Sequence, residues 1–302
     1  MNTNKKNFAL IGAGGYIAPK HVEAIKHTNN DLIALLDPYD GVGYIDRYFP
    51  QVSYFSEPER FDRHLYRNRK TIDYVSICSP NYLHDSHIRL SLRNGCDVIC
   101  EKPLVLRHKH LLSLKEVEKE TGKKIYNILQ LRHHPIIKEL KGRYQDTTKR
   151  HKVKLDYITP RGKWYDYSWK GDSDKSGGVV SNIGVHFFDM LIWIFGDVVD
   201  YNVDMTGKRS KGTLTLKNAD VEYNLSIVKE DLPWDEWKPY RLIEIDGEEL
   251  EFSTGFTELH NISYEEILKG NGFTLDDVEP VIKLIDNLRH KKIERDGQTF
   301  YI

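Results

Sequence analysis

Short apolar runs alternate with amphipathic segments over the first part of the chain. Five of these runs have the length of buried strands: Phe8–Ile11, Leu32–Leu36, Asp73–Cys78, Asp97–Cys100 and Lys124–Leu131. Segments with helical spacing lie between them, such as His84–Asn94 and Lys109–Thr121, and each of these two ends before a glycine. Strands that alternate with helices predict a parallel, doubly wound sheet.

The pattern changes after about residue 130. A long apolar helix is predicted over Gly177–Phe195, and a final helix over Thr274–Arg289 with Thr274 as its N-cap. Lys152–Thr159 alternates as a strand does and precedes the long helix. The strand-like runs after that helix follow one another without helices: Tyr201–Lys208, Gly212–Lys217, Asp220–Lys229, Arg241–Asp246 and Glu249–Ser253. Successive strands predict an antiparallel sheet. The predicted fold class is therefore an α/β Rossmann domain over residues 1–130, followed by an α+β domain with a large, mostly antiparallel sheet over residues 131–302.

The charge balance and the cysteines narrow the class of protein. The 44 basic and 45 acidic residues give a net charge of −1, so we expect no nucleic-acid or anionic-membrane partner. The cysteines Cys78, Cys96 and Cys100 are odd in number, which favours reduced thiols and a cytoplasmic location. The most apolar stretch, Val179–Phe195, carries polar side chains and is predicted as a buried helix, because a membrane span needs about 20 apolar residues.

A glycine-rich turn follows the first predicted strand. Gly12 and Gly14 allow a tight turn close to a pyrophosphate, and Tyr16 and Ile17 lie in the same turn before the helix. Asp37 ends the second strand, 25 residues after Gly12. A carboxylate there accepts hydrogen bonds from ribose hydroxyls and repels a 2′-phosphate, which predicts NAD rather than NADP. The alternative is a glycine turn in another kind of βα unit.

Later strand ends supply further candidates for the cofactor site, because ligands bind at the carboxyl ends of parallel strands. These candidates are Ser79, Pro80, Asn81, His84, Glu101, Lys102 and Gln130. For His84 the alternative is a helix N-terminal residue without a ligand. No metal is expected at this site.

Two residues are candidates for the chemistry. Lys102 precedes Pro103, which holds it extended at a strand end and allows a cis bond, so its ammonium can stabilise a developing alkoxide. His186 shares a helix face with Asn182 and is the candidate general base, because imidazole titrates nearest neutral pH. The alternatives are a solvated loop lysine and a hydrogen-bonded core histidine.

These motifs together resemble the Gfo/Idh/MocA oxidoreductase family over nearly the whole chain. The resemblance rests on Gly12-x-Gly14, Asp37, Glu101-Lys102-Pro103-Leu104 and the glycine pair followed by His186-Phe187-Phe188-Asp189. It implies that Lys102 and His186 line the catalytic site. Most members carry aspartate where this chain has Asn182, and the loss of that charge would suit a substrate with its own carboxylate.

Longer segments resemble one branch, the bacterial UDP-N-acetyl-glucosaminuronate 3-dehydrogenases of O-antigen and lipopolysaccharide sugar biosynthesis. They are Gly14–His21, Asp73–His84, Gln130–Pro135 and Tyr157–Tyr165. The resemblance implies NAD-dependent oxidation of the sugar 3-hydroxyl to a 3-keto sugar, with 2-oxoglutarate as an acceptor that can regenerate NAD. Candidate contacts to this UDP-sugar are Lys102, Arg132, Arg161, Lys163, Tyr165, Asn182 and His186.

Two rival interpretations stay open. One is an NAD-dependent dehydrogenase of another sugar or polyol, and the other is a non-catalytic NAD-binding regulator. The sequence also leaves open which of Lys102 and His186 acts as the base. We expect a homo-oligomer, a dimer or tetramer, because relatives bury the open sheet face between subunits.

Overall fold

The computed structural model describes residues 5–144, 148–250, 255–290, 292–295 and 298–301, the last two as backbone only. This part of the chain divides into two compact units. Of the described residues, the first unit comprises 5–105, 109–130 and 256–278, and the second comprises those within 106–108, 131–255 and 279–301. The sequence analysis predicted domains over residues 1–130 and 131–302 and so placed Phe256–Val278 in the second domain. In the structure this segment belongs to the first unit.

A parallel sheet forms the centre of the first unit. Its strands in the described residues are β1 (Asn7–Ile11), β2 (Asp31–Leu36), β3 (Ser53–Phe55), β4 (Tyr74–Ile77), β5 (Asp97–Cys100) and β6 (Ile125–Asn127). Their order is β3-β2-β1-β4-β5-β6, and the neighbouring pairs are parallel. This is the order of a doubly wound dinucleotide-binding sheet, which confirms the predicted Rossmann class. The sequence pattern missed β3 because that strand is three residues long and mostly exposed.

Helices cover this sheet, and glycines end two of them. In the described residues they are α1 (Ala18–His27), α2 (Pro58–Arg67), α3 (His84–Arg93), α4 (His108–Thr121) and α9 (Leu259–Leu268). Gly95 and Gly122 follow α3 and α4 with φ of +83° and +68°, a conformation that glycine adopts without strain. The helices α2 and α9 were not predicted. Tyr264 and Ile267 of α9 lie in one hydrophobic cluster with Val22 of α1.

A mixed sheet forms the centre of the second unit. Its described strands are β7 (His151–Ile158), β8 (Val198–Met205), β9 (Arg209–Leu216), β10 (Ala219–Ser226), β11 (Tyr240–Ile245) and β12 (Glu248–Glu249). The order is β12-β11-β7-β10-β9-β8, with β7 and β10 parallel and the other neighbours antiparallel. The prediction of a mostly antiparallel sheet is confirmed. Of the predicted strand Glu249–Ser253, residues 251–253 lie outside the described residues.

The remaining elements are shorter or differ in their bounds from the sequence pattern. They are the helices α5 (Pro135–Tyr144), α6 (Trp164–Tyr167), α7 (Ser173–Ser176), α8 (Val185–Phe195) and α10 (Leu275–Arg289), and the antiparallel pair β13 (Lys292–Arg295) and β14 (Gln298–Tyr301). The strand predicted over Lys124–Leu131 was wrong at its end, because β6 stops at Asn127 and a 3₁₀ turn occupies Gln130–His133. The boundary between the two units falls within α10.

The apolar helix of the second unit begins later than predicted. Gly177 and Gly178 have φ of +82° and +70°, so no α-helix runs through them. A π-helical turn, Val180–Gly184, then leads into α8. By length and composition alone the stretch Ser173–Phe195 could cross a membrane, but 78% of its most apolar window is buried inside the protein. Burial of that extent is what a core helix shows.

Replacing Phe188 of α8 by alanine should destabilise the fold strongly. Phe188 is fully buried, and its ring meets Tyr223 of β10 edge-on at 5.0 Å between centroids. Loss of such a ring typically lowers the free energy of unfolding by about 3–5 kcal/mol. Urea denaturation would measure the change, with Val199→Ala as the control because Val199 is 70% exposed. Equal losses in the two variants would contradict this view of the core.

Candidate active site

The glycine turn after β1 lies directly against the end of β4. Gly12 has φ of +86° and donates its N–H to the carbonyl of Leu36 at 2.8 Å. A Cβ on Gly12 would stand 2.5 Å from the backbone nitrogen of Ser79, closer than real contacts allow. Only glycine therefore fits, and the chain can turn here without covering the strand ends.

Asp37 at the end of β2 faces this turn. Its Oδ2 accepts the N–H of Gly14 at 2.8 Å, and its Oδ1 accepts the N–H of Tyr39 at 2.9 Å. Tyr54 donates its hydroxyl to the Asp37 carbonyl at 2.9 Å, which fixes the backbone as well. The carboxylate is thus held beside the turn, where the fold places the ribose of a dinucleotide.

The N-terminus of α1 is open to an anion. Ile17 precedes the helix without a capping side chain, and the first turn contains no acidic residue. The helix dipole favours a phosphate at such an end. Tyr16 in the turn is 92% exposed. Together with the close approach at Gly12, these features fit a bound dinucleotide.

The candidates after β4 lie at the same strand edge. Ser79 and Asn81 are buried, and the Ser79 hydroxyl lies 2.9 Å from Nδ1 of His87. His84 is 1% exposed, with Nε2 2.8 Å from the Ser79 carbonyl and Nδ1 2.8 Å from the Pro103 carbonyl. Burial lowers the pKa of His84, against the opposing effect of the Ser79 and Pro103 carbonyls. His84 therefore ties β4 to the loop after β5, and its predicted contact with cofactor stays a prediction that this placement does not favour.

The loop after β5 carries Lys102, which is half-buried and precedes a cis peptide bond to Pro103. Glu101 is buried, and its carboxylate faces His21 and His260 rather than the glycine turn. The Asn127 amide donates to the Glu101 carbonyl at 3.2 Å. The sequence pattern did not single out His21, Asn127 or His260. Contacts between segments this far apart in the chain leave no local signal.

Gln130 lies in the 3₁₀ turn that follows β6. Its Oε1 is buried and finds no hydrogen-bond donor among the described residues. Buried polar atoms are rarely left without a partner, so a ligand atom that donates to this oxygen would satisfy it. The predicted cofactor contact of Gln130 remains a prediction that this orphaned oxygen supports.

In the second unit, residues 179–195 are buried except for three half-buried positions, Asn182, His186 and Trp193. That spacing places Asn182 and His186 on one face, as expected from their separation. Asn182 donates its amide to the Tyr165 hydroxyl at 3.2 Å. Burial raises the pKa of Tyr165, so its phenol keeps its proton. The structure thus brings two predicted substrate contacts, Asn182 and Tyr165, together.

Arg132 is placed differently from what we expected. It is 5% exposed, and its guanidinium binds the buried carboxylate of Asp189 through two bonds, Nε–Oδ2 at 3.0 Å and Nη2–Oδ1 at 2.7 Å. The guanidinium carbon lies 5.7 Å from the Trp193 ring centre. A paired, buried cation supports the helix that carries His186, so the predicted substrate contact of Arg132 stays a prediction that this geometry does not favour.

A group of cations follows β7. Arg161 and Lys163 are exposed, and the Arg161 N–H donates to the Ile227 carbonyl at 3.0 Å. The sequence analysis missed Lys170, whose ammonium lies 5.7 Å from the Trp164 and Trp169 ring centres. Burial, with a smaller contribution from the Arg161 charge, lowers the pKa of Lys170. Arg161, Lys163 and Lys170 thus give the segment after β7 a basic character.

The two parts of the chain match the two domains of one protein family. Residues 6–128 match the oxidoreductase family with an NAD-binding Rossmann fold, and residues 150–232 match the C-terminal alpha/beta domain of the same family. The chain belongs to the Gfo/Idh/MocA oxidoreductase family. Membership confirms the resemblance inferred from the glycine turn, the Glu101-Lys102-Pro103 loop and the His186 segment, and with it an NAD-dependent oxidoreductase.

A solved member of the family is similar over nearly the full length. The WlbA (WbpB) dehydrogenase from Thermus thermophilus is 43% identical, with 96% of both chains covered and a TM-score of 0.91, in a complex with NAD and alpha-ketoglutarate and in one with NAD and UDP-GlcNAcA. The D-glucoside 3-dehydrogenase of Escherichia coli is 25% identical over 65% of this chain. The chain spans 56% of the length of that relative.

Removing the Asp37 carboxylate should weaken NAD binding. We expect Asp37→Ala to lower the affinity for NAD by about tenfold or more, because a charged hydrogen-bond acceptor is lost. The preference for NAD over NADP should shrink as well, since the repelling charge is gone. Fluorescence titration with both cofactors measures this. Asp40→Ala is the matched control because Asp40 is exposed nearby, and unchanged NAD affinity in Asp37→Ala would count against the assignment.

Replacing Arg132 should change stability more than substrate binding. Arg132→Met removes both guanidinium hydrogen bonds from the buried Asp189 carboxylate, and breaking such a pair typically lowers the free energy of unfolding by about 3–5 kcal/mol. The double variant with Asp189→Leu should recover most of that loss, because no charge remains buried. Denaturation curves of both variants measure this. A stable Arg132→Met enzyme with a raised KM for the sugar would instead support direct contact with substrate.

Proposed function

We propose that the chain oxidises the 3-hydroxyl of UDP-N-acetyl-glucosaminuronic acid to the 3-keto sugar, with NAD as the cofactor. The observation that carries this proposal is the 43% identity, over 96% of both chains, with the dehydrogenase solved with NAD and UDP-GlcNAcA. The retained Lys102 and His186 support a catalytic protein over a non-catalytic regulator.

The chain supplies the groups that such an oxidation needs. His186 takes the proton of the 3-hydroxyl, and the Lys102 ammonium orients that oxygen and stabilises its developing negative charge. Bound NAD would supply the acceptor for the hydride that leaves the carbon bearing this hydroxyl. The same two residues are compatible with exchanged roles, in which a neutral Lys102 takes the proton.

The second unit offers partners for the anionic parts of the substrate. Arg161, Lys163 and Lys170 match a uronate carboxylate and a diphosphate, and arginine can bind either through two hydrogen bonds. Trp164 and Tyr167 are exposed beside them and can pack on a sugar or uracil ring. Asn182 adds no negative charge there, which favours a substrate that carries its own carboxylate.

The likeness and the sequence together support a proposal for the wider setting. We infer that the enzyme works in the cytoplasm, in O-antigen or lipopolysaccharide sugar biosynthesis, as a dimer or tetramer. Reduced cofactor would be reoxidised by 2-oxoglutarate, the compound bound in one structure of the Thermus relative. The product, a 3-keto sugar, is suited to amination by a transaminase.

The proposal is tested by mixing the protein with NAD and UDP-N-acetyl-glucosaminuronate and following reduced nicotinamide optically, with bound cofactor counted. UDP-N-acetylglucosamine is the substrate control, because it differs only in having a hydroxymethyl group in place of the carboxylate. We expect reduction with the uronate, and a loss of about 100-fold or more in Lys102→Ala.

Each other outcome selects a rival. Turnover only on sugars or polyols without the carboxylate would favour another dehydrogenase of this family. Tight NAD binding without reduction on any sugar would favour the regulator. Unchanged turnover in Lys102→Ala would remove Lys102 from the chemistry.

A further inference from the structure

Five polar side chains form a continuous buried network in the first unit. They come from α1, β4, the end of β5 and α9: His21, Ser76, Glu101, His260 and Tyr264. All are buried, and His21, Ser76 and Tyr264 are inaccessible to solvent. Burial of so many polar groups is costly unless each is hydrogen-bonded, so their arrangement calls for an explanation.

Glu101 is the centre of this network. Its Oε1 lies 2.9 Å from Nε2 of His21 and 3.0 Å from Nε2 of His260. Its Oε2 accepts the backbone N–H of Lys102 at 3.2 Å. A carboxylate that receives three N–H donors is satisfied without solvent, and the last of them fixes the peptide that carries the proposed catalytic lysine.

One assignment of protons satisfies the whole chain of contacts. His21 must hold its proton on Nε2 to donate to Glu101, which leaves Nδ1 as an acceptor. The Tyr264 hydroxyl, 2.8 Å from that Nδ1, then donates to it. The Ser76 hydroxyl, 2.6 Å from the Tyr264 oxygen, donates in turn. The His21 imidazole is neutral in this assignment and Glu101 is ionised.

The electrostatics agree with this assignment. Burial alone would raise the pKa of Glu101, but the hydrogen bonds from His21 and His260 outweigh it and hold that pKa well below its usual value. Burial lowers the pKa of His21 despite the neighbouring carboxylate. Glu101 is therefore ionised and accepts a hydrogen bond from a neutral His21 ring.

The same three residues could also bind a metal ion. One ligand atom from each of His21, Glu101 and His260 lies within 4.8 Å of the others. However, their nitrogen–oxygen separations are those of ordinary N–H···O bonds, and the proton assignment satisfies the contacts without an ion. We therefore interpret these three residues as a hydrogen-bonded network, and measuring the metal content of the wild-type protein tests the alternative.

We propose that His21, His260 and Tyr264 are positioning residues for Lys102. They orient the Glu101 carboxylate, and this carboxylate accepts the backbone N–H of Lys102. Helix α9, which carries His260 and Tyr264, therefore helps to set the direction of the Lys102 ammonium. None of the three touches the reacting atoms. This inference rests on the proposed function only in the role it gives to Lys102.

The direction of the hydrogen bonds makes the network sensitive to the loss of one oxygen. In Tyr264→Phe nothing donates to Nδ1 of His21, so the ring can move its proton there. Nε2 would then point a lone pair at the carboxylate of Glu101, which repels it. Tyr74→Phe is the matched control, because the Tyr74 and Tyr264 rings both pack on Phe8, with centroids at 5.0 and 5.8 Å.

Two readouts test the proposal in the purified enzyme. The first is hydrogen exchange of the Lys102 amide, which should accelerate by about tenfold or more in Tyr264→Phe and stay unchanged in Tyr74→Phe. The second is kinetic: kcat should fall about fivefold to fiftyfold in Tyr264→Phe, with KM for the sugar and NAD affinity within about twofold. Nitrogen-15 spectra of the histidines report whether His21 carries its proton on Nε2.

A conservative pair at His260 separates positioning from packing. His260→Gln keeps an N–H that can reach Glu101, whereas His260→Leu has similar bulk and no donor. We expect His260→Gln to retain most of kcat and slow exchange at Lys102, and His260→Leu to lose both. Equal behaviour of the two variants would indicate that His260 serves only packing.

Several results would overturn the proposal. Unchanged Lys102 exchange in Tyr264→Phe would do so. A fall in kcat that comes with a raised KM and a weaker affinity for NAD would also do so. Stoichiometric metal in the wild-type protein would replace the network by a metal site. If the wild type does not oxidise the uronate, the proposed function fails, but exchange at Lys102 and the His21 proton position still decide the network, because neither needs a substrate.

Discussion

The close approach of two backbones at Gly12 is the constraint on which the first unit depends. Because Gly12 has no side chain, the turn after β1 rests against the backbone of Ser79 at the end of β4. The carboxyl ends of β1, β2 and β4 therefore meet at one edge, with Asp37 aimed at the turn and the N-terminus of α1 beside it. A bulkier residue would separate these groups, and with them the site that a dinucleotide needs.

Buried charge is used in both units to fix a functional segment. Glu101 is held by N–H donors and in turn holds the Lys102 peptide, while Asp189 is held by Arg132 on the helix that carries His186. In each case hydrogen bonds to both carboxylate oxygens offset the free-energy cost of burying the charge. The same hydrogen bonds hold the carboxylate in one orientation. The proposed reactive groups thus adjoin buried, hydrogen-bonded carboxylates, while Arg161 and Lys163 lie exposed in the segment after β7.

The sequence pattern predicted what depends on local spacing and missed what depends on distant contacts. The glycine turn, Asp37 and the parallel strands were predictable because strand, turn and helix periods are written locally. The meeting of His21 and His260 at Glu101 was not, since it requires α9 to return to the first unit. Arg132 was judged by residue type, which gives no sign that Asp189, 57 positions away, is its partner.

Asn182 connects the charge pattern of the second unit to the choice of substrate. Its amide meets the Tyr165 hydroxyl, and the Arg161 charge acts on the same phenol, lowering its pKa against the larger effect of burial. A carboxylate at position 182 would stand in that positive field and compete with an anionic ligand for it. A neutral amide leaves the field of Arg161 and Lys163 to the ligand. A sugar acid gains most from this arrangement, because its own carboxylate then supplies the negative charge that the protein omits.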